Sequence, residues 1–478
     1  MNAITTLLSF LVRLVTFWRP ANPATGPRSF IIEDVPGNRR LIRIVLNHDV
    51  GQHRQINAAA GMQSATASSV AAPERSSWAS RLVSRMVGRD TLSRPPLYAS
   101  PGIAAAVIPA HNEEAVIEAT LQSVLKVFHR QDIFVFCDNC SDSTADIARA
   151  YIPEENVLIS GGQYGKSRGL EYVFGSYIFP RQYVYVSVVD ADTTLEPKFL
   201  VNSLKALQYK DVACTVGQVK SRWYPKNVIS VYRTYVYTLW QMIYKRLQSS
   251  TNTITIASGC SSTWKTRVLK QLTFDHQMST EDFSLTIQVH RKHLGKIKYV
   301  PSAVVWTQDP FTAKAYWKQM YRWDRAWWES VRKYRVGLNW FQFRKGLPVG
   351  VSALDISTLL LTVDMFMFMA SVLILPLLLI HPVNLHLPFM QVESRWAIMH
   401  SLAWQFATVL VSSFFVACIT RRPRVFLYSP VYLVLMYVDI ILTLQTVFST
   451  IRSQYRRIPA HAGAAASVWI SPERRKEA

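Results

Sequence analysis

Acidic residues are scarce in this chain of 478 residues, which has 31 Asp and Glu against 53 Lys and Arg and a formal net charge of +22. Nucleic-acid-binding proteins often show such an excess, but 49% of these residues are hydrophobic and long apolar runs are present, which argues against that class. A basic face against anionic lipid and attraction of an anionic substrate explain the charge better. We therefore expect a lipid bilayer, and no nucleic acid, among the partners.

Cysteines are few, and the five present show no disulfide framework. Cys137 and Cys140 form a C-x-x-C pair, but no second pair and no His pair follows at zinc-finger spacing. Reduced thiols in a cytoplasmic domain are the favoured interpretation.

The N-terminal apolar stretch, Ile4 to Trp18, lacks the basic start and small-residue cleavage site of a secretory signal. It is short for a membrane span and is interrupted by Arg13, so it is either a signal anchor or an interfacial helix. Arg19 and Arg28 place the following segment in the cytoplasm by the positive-inside rule. Ser29 to Leu46 then has the pattern of a β-hairpin, and Ala58 to Ser77 that of a linker.

Apolar runs alternate with helix-like stretches from Ile103 onward. The predicted strands are Ala104 to Ile108, Ile133 to Phe136 and Tyr183 to Val189, and the predicted helices are Glu113 to Val127 and Ser143 to Tyr151. This alternation predicts an α/β sheet with ligands bound at the strand ends.

Three strongly apolar regions follow, and each is long enough to cross a bilayer of about 30 Å. They are Val351 to Ile380, Ala397 to Ile419 and Val425 to Phe448. Arg421, Arg422 and Arg424 mark a cytoplasmic loop, and a basic tail indicates cytoplasm again. Three simple crossings from a cytoplasmic domain would put that tail outside. If the arginine-rich loop and the basic tail both lie in the cytoplasm, one of the three regions is interfacial or re-entrant. Asp355, Asp364 and Asp439 lie within these apolar segments, where acidic residues usually face a cavity or a partner. They could line a polymer conduit, or Asp355 could simply lie at the membrane interface.

Asp190 and Asp192 directly follow the buried-looking run Val184 to Val189. Two carboxylates at alternate positions can share a divalent cation that bridges a diphosphate, and Mg²⁺ or Mn²⁺ prefers such hard oxygen ligands. An isolated D-x-D pair often caps a helix instead, but the position at a strand end favours the metal hypothesis.

Two further strand ends carry Glu113, in V-I-P-A-H-N-E-E, and Asp138, in D-N-C-S-D-S-T. We expect both to accept hydrogen bonds from a nucleoside, although Asn112, Ser141 or Asp142 could simply cap helices there. Gly165-Lys166-Ser167 resembles the end of a P-loop, but Ser160 stands where the first glycine is needed. Lys166 is therefore interpreted as a cation near a bound nucleotide donor, with a solvated lysine as the alternative.

Asp282, in Thr280-Glu281-Asp282, is the candidate general base, because a positioned carboxylate can take the proton of an attacking hydroxyl. Acidic residues also stabilise the first turn of a helix, and both roles can hold at once. Downstream, Gln319, Arg322 and Trp323 fall on one helix face at i, i+3 and i+4. Trp323 offers a flat surface for a sugar ring and Arg322 fixed donors for a diphosphate, although such residues also form interfacial belts.

These motifs together resemble the membrane-embedded, processive glycosyltransferases of family 2, which include the hyaluronan, chitin, cellulose and poly-N-acetylglucosamine synthases. The similarity runs from about Ile103 through the last apolar region. The motifs that carry it, in the family's order, are H-N-E-E, the Asp138 motif, G-K-S-R-G-L, D-A-D, S-G-C, T-E-D and Q-M-Y-R-W. Ala326 departs from the Gly or Ser of many relatives, which leaves the sugar open.

The resemblance implies an α/β GT-A domain with interface helices and a C-terminal transmembrane region, and inverting transfer from a UDP-sugar to a growing polysaccharide. It implies UDP-N-acetylglucosamine or a related donor, and a multi-pass protein of the plasma (inner) membrane with its catalytic domain in the cytoplasm. The implied donor-binding residues are His111, Glu113, Asp138, Lys166, Asp190 and Asp192. The implied acceptor-binding or product-binding residues are Gly259, Cys260, Glu281, Gln319, Arg322 and Trp323, with Asp282 as the base.

The expected segments are a membrane anchor or interfacial helix (1–28), a basic region with hairpin and linker (29–95), the catalytic domain (96–308), amphipathic interface helices (309–349), the transmembrane region (350–450) and a basic tail (451–478). A single-transfer enzyme acting on a lipid or protein is the alternative function. A non-catalytic membrane scaffold is a third, which the intact acidic set argues against.

Overall fold

The computed structural model describes residues 30–34, 42–46, 101–276, 278–344, 346–363, 366, 384–387 and 390–455. The chain divides into two compact units, Met1–Pro73 and Glu74–Ala478. In the first unit, Phe30–Asp34 (β1) pairs antiparallel with Ile42–Leu46 (β2), which confirms the predicted hairpin. The predicted N-terminal apolar segment and the Ala- and Ser-rich linker lie outside the described residues.

The second unit is built on a mixed sheet of eight strands in the order β5-β4-β3-β6-β9-β8-β10-β7. The strands are Ala104–Ala110 (β3), Ile133–Cys137 (β4), Val157–Ile159 (β5), Tyr185–Val188 (β6), Thr193–Leu195 (β7), Val212–Ser221 (β8), Ser262–Lys265 (β9) and Lys296–Thr307 (β10). Strands β5, β4, β3 and β6 run parallel, whereas β9 runs antiparallel to both of its neighbours. Every residue of β3 and β4 is buried, as expected for central strands covered on both faces.

Helices cover this sheet on the connections between strands, as the alternation in the sequence predicts. They are Ile117–Val124 (α1), Thr144–Tyr151 (α2), Lys166–Val173 (α3), Phe199–Leu207 (α4), Val228–Leu239 (α5), Lys245–Thr251 (α6), Thr266–Leu269 (α7) and Glu281–Arg291 (α8). The predicted first helix is shorter than expected, because residues 113–116 form a turn in which Glu113 O accepts from the backbone N–H groups of Val116 and Ile117.

Gly169 sets the distance between α3 and the sheet. A Cβ at this position would lie 2.3 Å from Cε1 of the buried Phe136 ring on β4. Gly169→Ala is therefore expected to reduce the free energy of unfolding by about 1–3 kcal/mol, the usual range for overpacking. Thermal unfolding in detergent measures the effect. Gly175→Ala is the control, because a Cβ there meets nothing within 4 Å, and equal melting temperatures for the two variants would contradict the argument.

The C-terminal part begins with a long helix, Ala313–Tyr334 (α9). A hairpin of Phe341–Arg344 (β11) and Leu347–Val351 (β12) follows it, so the expectation of several interface helices over 309–349 is corrected to one helix and a hairpin. Positive φ at Gly346 and Gly350 suits a turn and an irregular strand rather than a helix. The remaining elements are Ala353–Val363 (α10), Asn384–Leu387 (β13), Met390–Glu393 (β14), Ser394–Thr420 (α11), Arg424–Leu427 (α12) and Ser429–Tyr455 (α13).

By length and composition, two of the described helices could cross a membrane: Ile398–Thr420 and Ser429–Arg452, each with a mean hydropathy of 1.9. Large apolar side chains on both are more than half exposed, among them Phe415 and Phe448. Such exposure suits a lipid or protein partner better than water. Most of the remaining predicted apolar region, 351–380, lies outside the described residues. Asp355 is buried and accepts hydrogen bonds from Arg291 at 2.5 and 2.7 Å, so it faces a partner as expected.

Candidate active site

The carboxyl ends of β3, β4 and β6 meet at one edge of the sheet, because the three strands are parallel neighbours. His111 follows β3, Asp138 follows β4 and Asp190 lies just beyond β6. The His111 ring nitrogen Nδ1 lies 2.5 Å from the backbone oxygen of Asp138, which joins the first two strand ends directly. This arrangement is the one that the sequence pattern predicts for a ligand site.

Asp138 is fully buried, and its carboxylate organises the loop that leads to Lys166. It accepts hydrogen bonds from the backbone N–H groups of Tyr164 and Gly165, both at 2.8 Å, and from Ser160 Oγ at 3.1 Å. Ser160, which breaks the P-loop pattern, therefore has a local structural role. Asp138 fixes where α3 begins, and a nucleoside would meet a carboxylate that already holds this loop.

Glu113 is buried at the start of the turn formed by residues 113–116. Its backbone N–H donates to Thr144 Oγ1 at 2.8 Å. Asn112 Oδ1 accepts from the backbone N–H of Ser141 at 2.8 Å, and Asp142 Oδ1 from that of Thr144 at 3.1 Å. Asp142 thus contacts the first residue of α2, whereas Asn112 bonds to a residue 29 positions away. Neither α1 nor α2 has a side-chain hydrogen bond from its N-cap residue, so the helix-capping interpretation is not confirmed.

Lys166 lies at the centre of an acidic cluster. Its Nζ is 2.7 Å from Asp190 Oδ1 and 3.2 Å from Glu281 Oε1. Burial alone would lower the pKa of Lys166, but the charges of Asp190, Glu281 and Asp282 outweigh it and raise that pKa. Gly259 borders the same ammonium, since a Cβ there would lie 2.8 Å from Lys166 Nζ. Lys166 is therefore held by two carboxylates in ion pairs and is not a solvated lysine.

Asp282 stands in the first turn of α8, where its Oδ1 accepts from the backbone N–H of Phe283 at 3.0 Å. Burial, followed by the charge of Glu281, raises the pKa of Asp282 to about 6, while Lys166 acts in the opposite direction. A carboxylate with a pKa closer to neutrality is a better proton acceptor and is still ionised at pH 7. Helix capping and general-base chemistry are compatible at this residue.

Asp190 and Asp192 carry hard oxygen atoms of the kind that a divalent cation such as Mg²⁺ or Mn²⁺ prefers. Asp192 is buried and its Oδ1 accepts from Thr193 Oγ1 at 3.1 Å, whereas Asp190 is partly exposed beside Lys166. No group of three or more potential metal ligands occurs in the searched, described part of the chain. Two carboxylates fit a Mg²⁺ or Mn²⁺ ion whose remaining ligands come from a diphosphate and water.

One buried group near this site, Lys245, was not singled out in the sequence. Lys245, on α6, is buried and donates to the backbone oxygen of Ile256 at 2.5 Å. Burial lowers the pKa of Lys245 to about 8, and the charge of Asp282 is the first influence opposing that shift. Burial, followed by the charges of Asp190 and Asp192, raises the pKa of Cys260 well above its usual range. Nothing in the sequence around Lys245 marks it as a buried lysine close to Asp282.

Gln319, Arg322 and Trp323 lie on α9 and are all partly buried. Trp323 packs against Arg233 of α5, whose Cζ lies 5.2 Å from the indole ring centroid. Asp309 accepts from Arg233 Nε at 3.5 Å. Burial raises the pKa of Asp309 and the charge of Asp192 adds to the rise, while Arg233 and Ser221 act in the opposite direction. The α9 residues thus connect to the acidic cluster through Arg233 and Asp309.

Polar contacts also tie α9 to the last apolar helix, α13. Tyr316 donates to Asp439 Oδ1 at 2.6 Å, Thr443 donates to Asp324 Oδ2 at 2.7 Å, and Tyr321 donates to Ser449 Oγ at 3.1 Å. Asp439 also accepts from Tyr232 at 2.8 Å, so it faces partners as expected for an acid in an apolar helix.

Thr443→Val is expected to reduce the free energy of unfolding by about 1–3 kcal/mol, because it leaves the Asp324 carboxylate without this donor. Burial raises the pKa of Asp324 to about 6, so the lost bond is not fully replaced by water. Thermal unfolding in detergent measures the loss. Thr408→Val is the matched control, since Thr408 bonds only within α11, to Trp404 O; equal losses in both variants would rule out the proposed link.

The model of the family described as "Glycosyltransferase like family 2" matches residues 101–326. The chain is 26% identical over 225 residues to poly-beta-1,6-N-acetyl-D-glucosamine synthase of Staphylococcus aureus, which covers 46% of this chain and 53% of the relative. It is 27% identical over 230 residues to the probable glycosyltransferase YdaM of Bacillus subtilis, covering 46% and 54%. The chain thus matches about half the length of these curated relatives.

Among solved structures, the mannosyltransferase PcManGT from Pyrobaculum calidifontis superposes with a TM-score of 0.45 at 14% identity, covering 69% of this chain and 86% of the other. The order and mixed direction of the strands, with acidic residues at their carboxyl ends, form a GT-A-like fold. Residues 101–326 of this chain are thus similar to family 2 glycosyltransferases.

Proposed function

We propose that this protein is an inverting, metal-dependent and processive β-glycosyltransferase that builds a polysaccharide from a UDP-sugar. The observation that carries the proposal is the position of Asp282, which stands in the first turn of α8 beside the Lys166, Asp190 and Glu281 cluster. The similarity to a poly-beta-1,6-N-acetyl-D-glucosamine synthase supports UDP-N-acetylglucosamine or a related donor.

In the proposed reaction, an acceptor hydroxyl attacks the anomeric carbon of the donor from the side opposite the diphosphate. Asp282 takes the hydroxyl proton as the new C–O bond forms, and the bond to the diphosphate breaks to release UDP. Lys166 faces the diphosphate, and the carboxylates of Asp190 and Asp192 would hold Mg²⁺ or Mn²⁺, which supplies charge neutralisation for the leaving group. Glu281 holds Lys166 in place through the 3.2 Å ion pair.

The acceptor side is assigned to the face of α9 that carries Gln319, Arg322 and Trp323, together with Gly259 and Cys260. The indole of Trp323 provides a flat surface on which a sugar ring can stack, and Arg322 adds fixed donors for the diphosphate. His111, Glu113 and Asp138, which follow β3 and β4, would position the nucleoside.

The two long apolar helices support a membrane location, with the catalytic domain in the cytoplasm and the protein in the plasma (inner) membrane. The contacts between α9 and α13 place the acceptor helix directly against one of them. A polysaccharide extended at Trp323 would therefore grow beside the apolar helices, which supports its passage across the membrane.

The test is turnover of a panel of radiolabelled UDP-sugars by purified, detergent-solubilised protein with Mg²⁺ or Mn²⁺, with products sized on a gel. A long product from one donor supports the processive assignment and names the sugar. A product extended by one sugar, or donor hydrolysis alone, contradicts it and favours the single-transfer alternative on a lipid or protein acceptor.

A further inference from the structure

Arg233 is a buried cation next to Trp323. Together with Gln319 and Arg322, Trp323 forms the proposed acceptor platform on α9. The reaction described above does not use Arg233. It lies on α5, and only 4% of its surface is exposed. Its guanidinium lies over two aromatic rings, with Cζ 4.1 Å from the ring centroid of Tyr237 and 5.2 Å from that of Trp323. Both distances lie within the range of cation–π attraction.

The anchoring of Arg233 is specific but incomplete. Nε lies 3.5 Å from Asp309 Oδ1, and Nη1 is 3.5 Å from the Met320 sulfur. Nη2 has no hydrogen-bond partner among the described residues. A buried arginine with an unused donor destabilises a fold relative to an apolar side chain of similar volume. Stability alone therefore does not account for an arginine at this position.

Asp309 connects this arginine to the strand ends of the donor site. It is 3% exposed and lies two residues after the end of β10. Its carboxylate accepts a hydrogen bond from Ser221 at the end of β8. Burial raises the pKa of Asp309, and the nearby charge of Asp192 adds to the rise. Arg233 thus joins a ring of the acceptor platform to the same end of the sheet that carries the D-x-D carboxylates.

We infer that Arg233 is a positioning residue that holds the Trp323 indole in the orientation needed to stack the terminal sugar of the acceptor chain. It acts through Trp323 and does not touch the donor. This inference rests on the proposed function. Because Asp309 balances its charge, Arg233 can orient the ring without adding a net charge beside the diphosphate.

The test is a double-mutant cycle with the pair variant Arg233→Met/Asp309→Asn, Trp323→Ala, and their combination. Replacing both members of the pair avoids leaving one charge buried alone, and we expect unfolding temperature and UDP binding to stay near those of the wild type. We expect sugar transfer to fall about three- to thirty-fold, the range of one cation–π contact, as a raised KM for acceptor oligosaccharide. Donor hydrolysis without acceptor is expected to remain unchanged.

The combined variant decides the inference. If Arg233 acts through Trp323, the combination is expected to lose no more transfer than Trp323→Ala alone, whereas independent effects multiply. Arg291→Met/Asp355→Asn removes an ion pair between the partly buried Arg291 and the buried Asp355 (Nη1 to Oδ2, 2.5 Å). It is the control, and any loss it causes should multiply with that of Trp323→Ala. Should the pair variant not fold, Arg233→Lys replaces it in the cycle, because a lysine keeps the charge but not the planar stack.

Multiplicative losses for Arg233 and Trp323, or equal losses of donor hydrolysis and transfer, would overturn the positioning role while leaving the proposed function intact. A wild-type protein that transfers no sugar to any acceptor would overturn both.

Discussion

Replacing Asp282 by Asn is expected to slow sugar transfer by about 10²- to 10⁴-fold, the contribution usually made by a positioned general base. Asparagine has nearly the same shape and keeps an oxygen that can accept the Phe283 N–H, 3.0 Å away in the wild type. The start of α8 is therefore expected to persist, and the loss should lie in kcat rather than in donor binding. Initial rates of labelled-sugar incorporation and UDP affinity, measured side by side, separate the two.

A matched control is Asp211→Asn, a carboxylate outside the site that pairs with Lys296 at 2.9 Å. It should leave transfer within about two-fold, because exposed ion pairs contribute little. If Asp282→Asn retained wild-type transfer, the general-base role would be wrong. Asp282 would then serve only to stabilise the first turn of α8.

The pH dependence of transfer gives a second measure of the same group. Burial, then the charge of Glu281, raises the pKa of Asp282 to about 6, and only the ionised form can accept a proton. Transfer should therefore be constant well above pH 6 and fall roughly ten-fold per pH unit below it. UDP affinity should not follow this curve. A profile that rises as the pH drops through 6 would identify a protonated group as the essential one.

The sequence was sufficient to predict that several acidic strand ends lie at one edge of the sheet. Parallel strands place their carboxyl ends together, so the segments that carry Glu113, Asp138 and Asp190 are expected to converge from their positions after apolar runs. The predicted hairpin is confirmed for the same kind of reason, because two short apolar runs on either side of Pro36-Gly37-Asn38 are a local sequence signal. These features depend on short stretches of chain and on a general rule of sheet geometry.

Features that depend on contacts between distant segments were not predictable in this way. Arg233 and Asp309 are 76 residues apart, and nothing in the amphipathic pattern of α5 marks one arginine as a partner of Trp323. Ser160 was noticed only as a departure from the P-loop, whereas its hydroxyl in fact bonds to Asp138. The hairpin after α9 was also missed, because aromatic and basic residues before an apolar region suggest an interface helix as readily as a strand.

Changing Asp192 to Asn is expected to lower transfer by about 10³-fold at a fixed, low concentration of Mg²⁺ or Mn²⁺, because a metal supplies several kcal/mol of charge stabilisation to a leaving diphosphate. Part of the loss should be recovered at higher metal concentration, since Asp190 still offers one carboxylate. Transfer measured over a metal titration, with a chelator to define zero, gives both values. Asp211→Asn again serves as the unaffected control.

Asp190 and Asp192 are expected to differ in this titration. Asp190 Oδ1 also holds Lys166 at 2.7 Å, so Asp190→Asn removes a metal ligand and an anchor of the neighbouring cation together. Added metal should then restore less activity than it does for Asp192→Asn, because the displaced lysine is not corrected by the ion. Equal recovery of the two variants would show that Lys166 keeps its position without Asp190, leaving its 3.2 Å ion pair with Glu281 as the contact that fixes it. Wild-type transfer that persists in the chelator would instead exclude a metal role for both carboxylates.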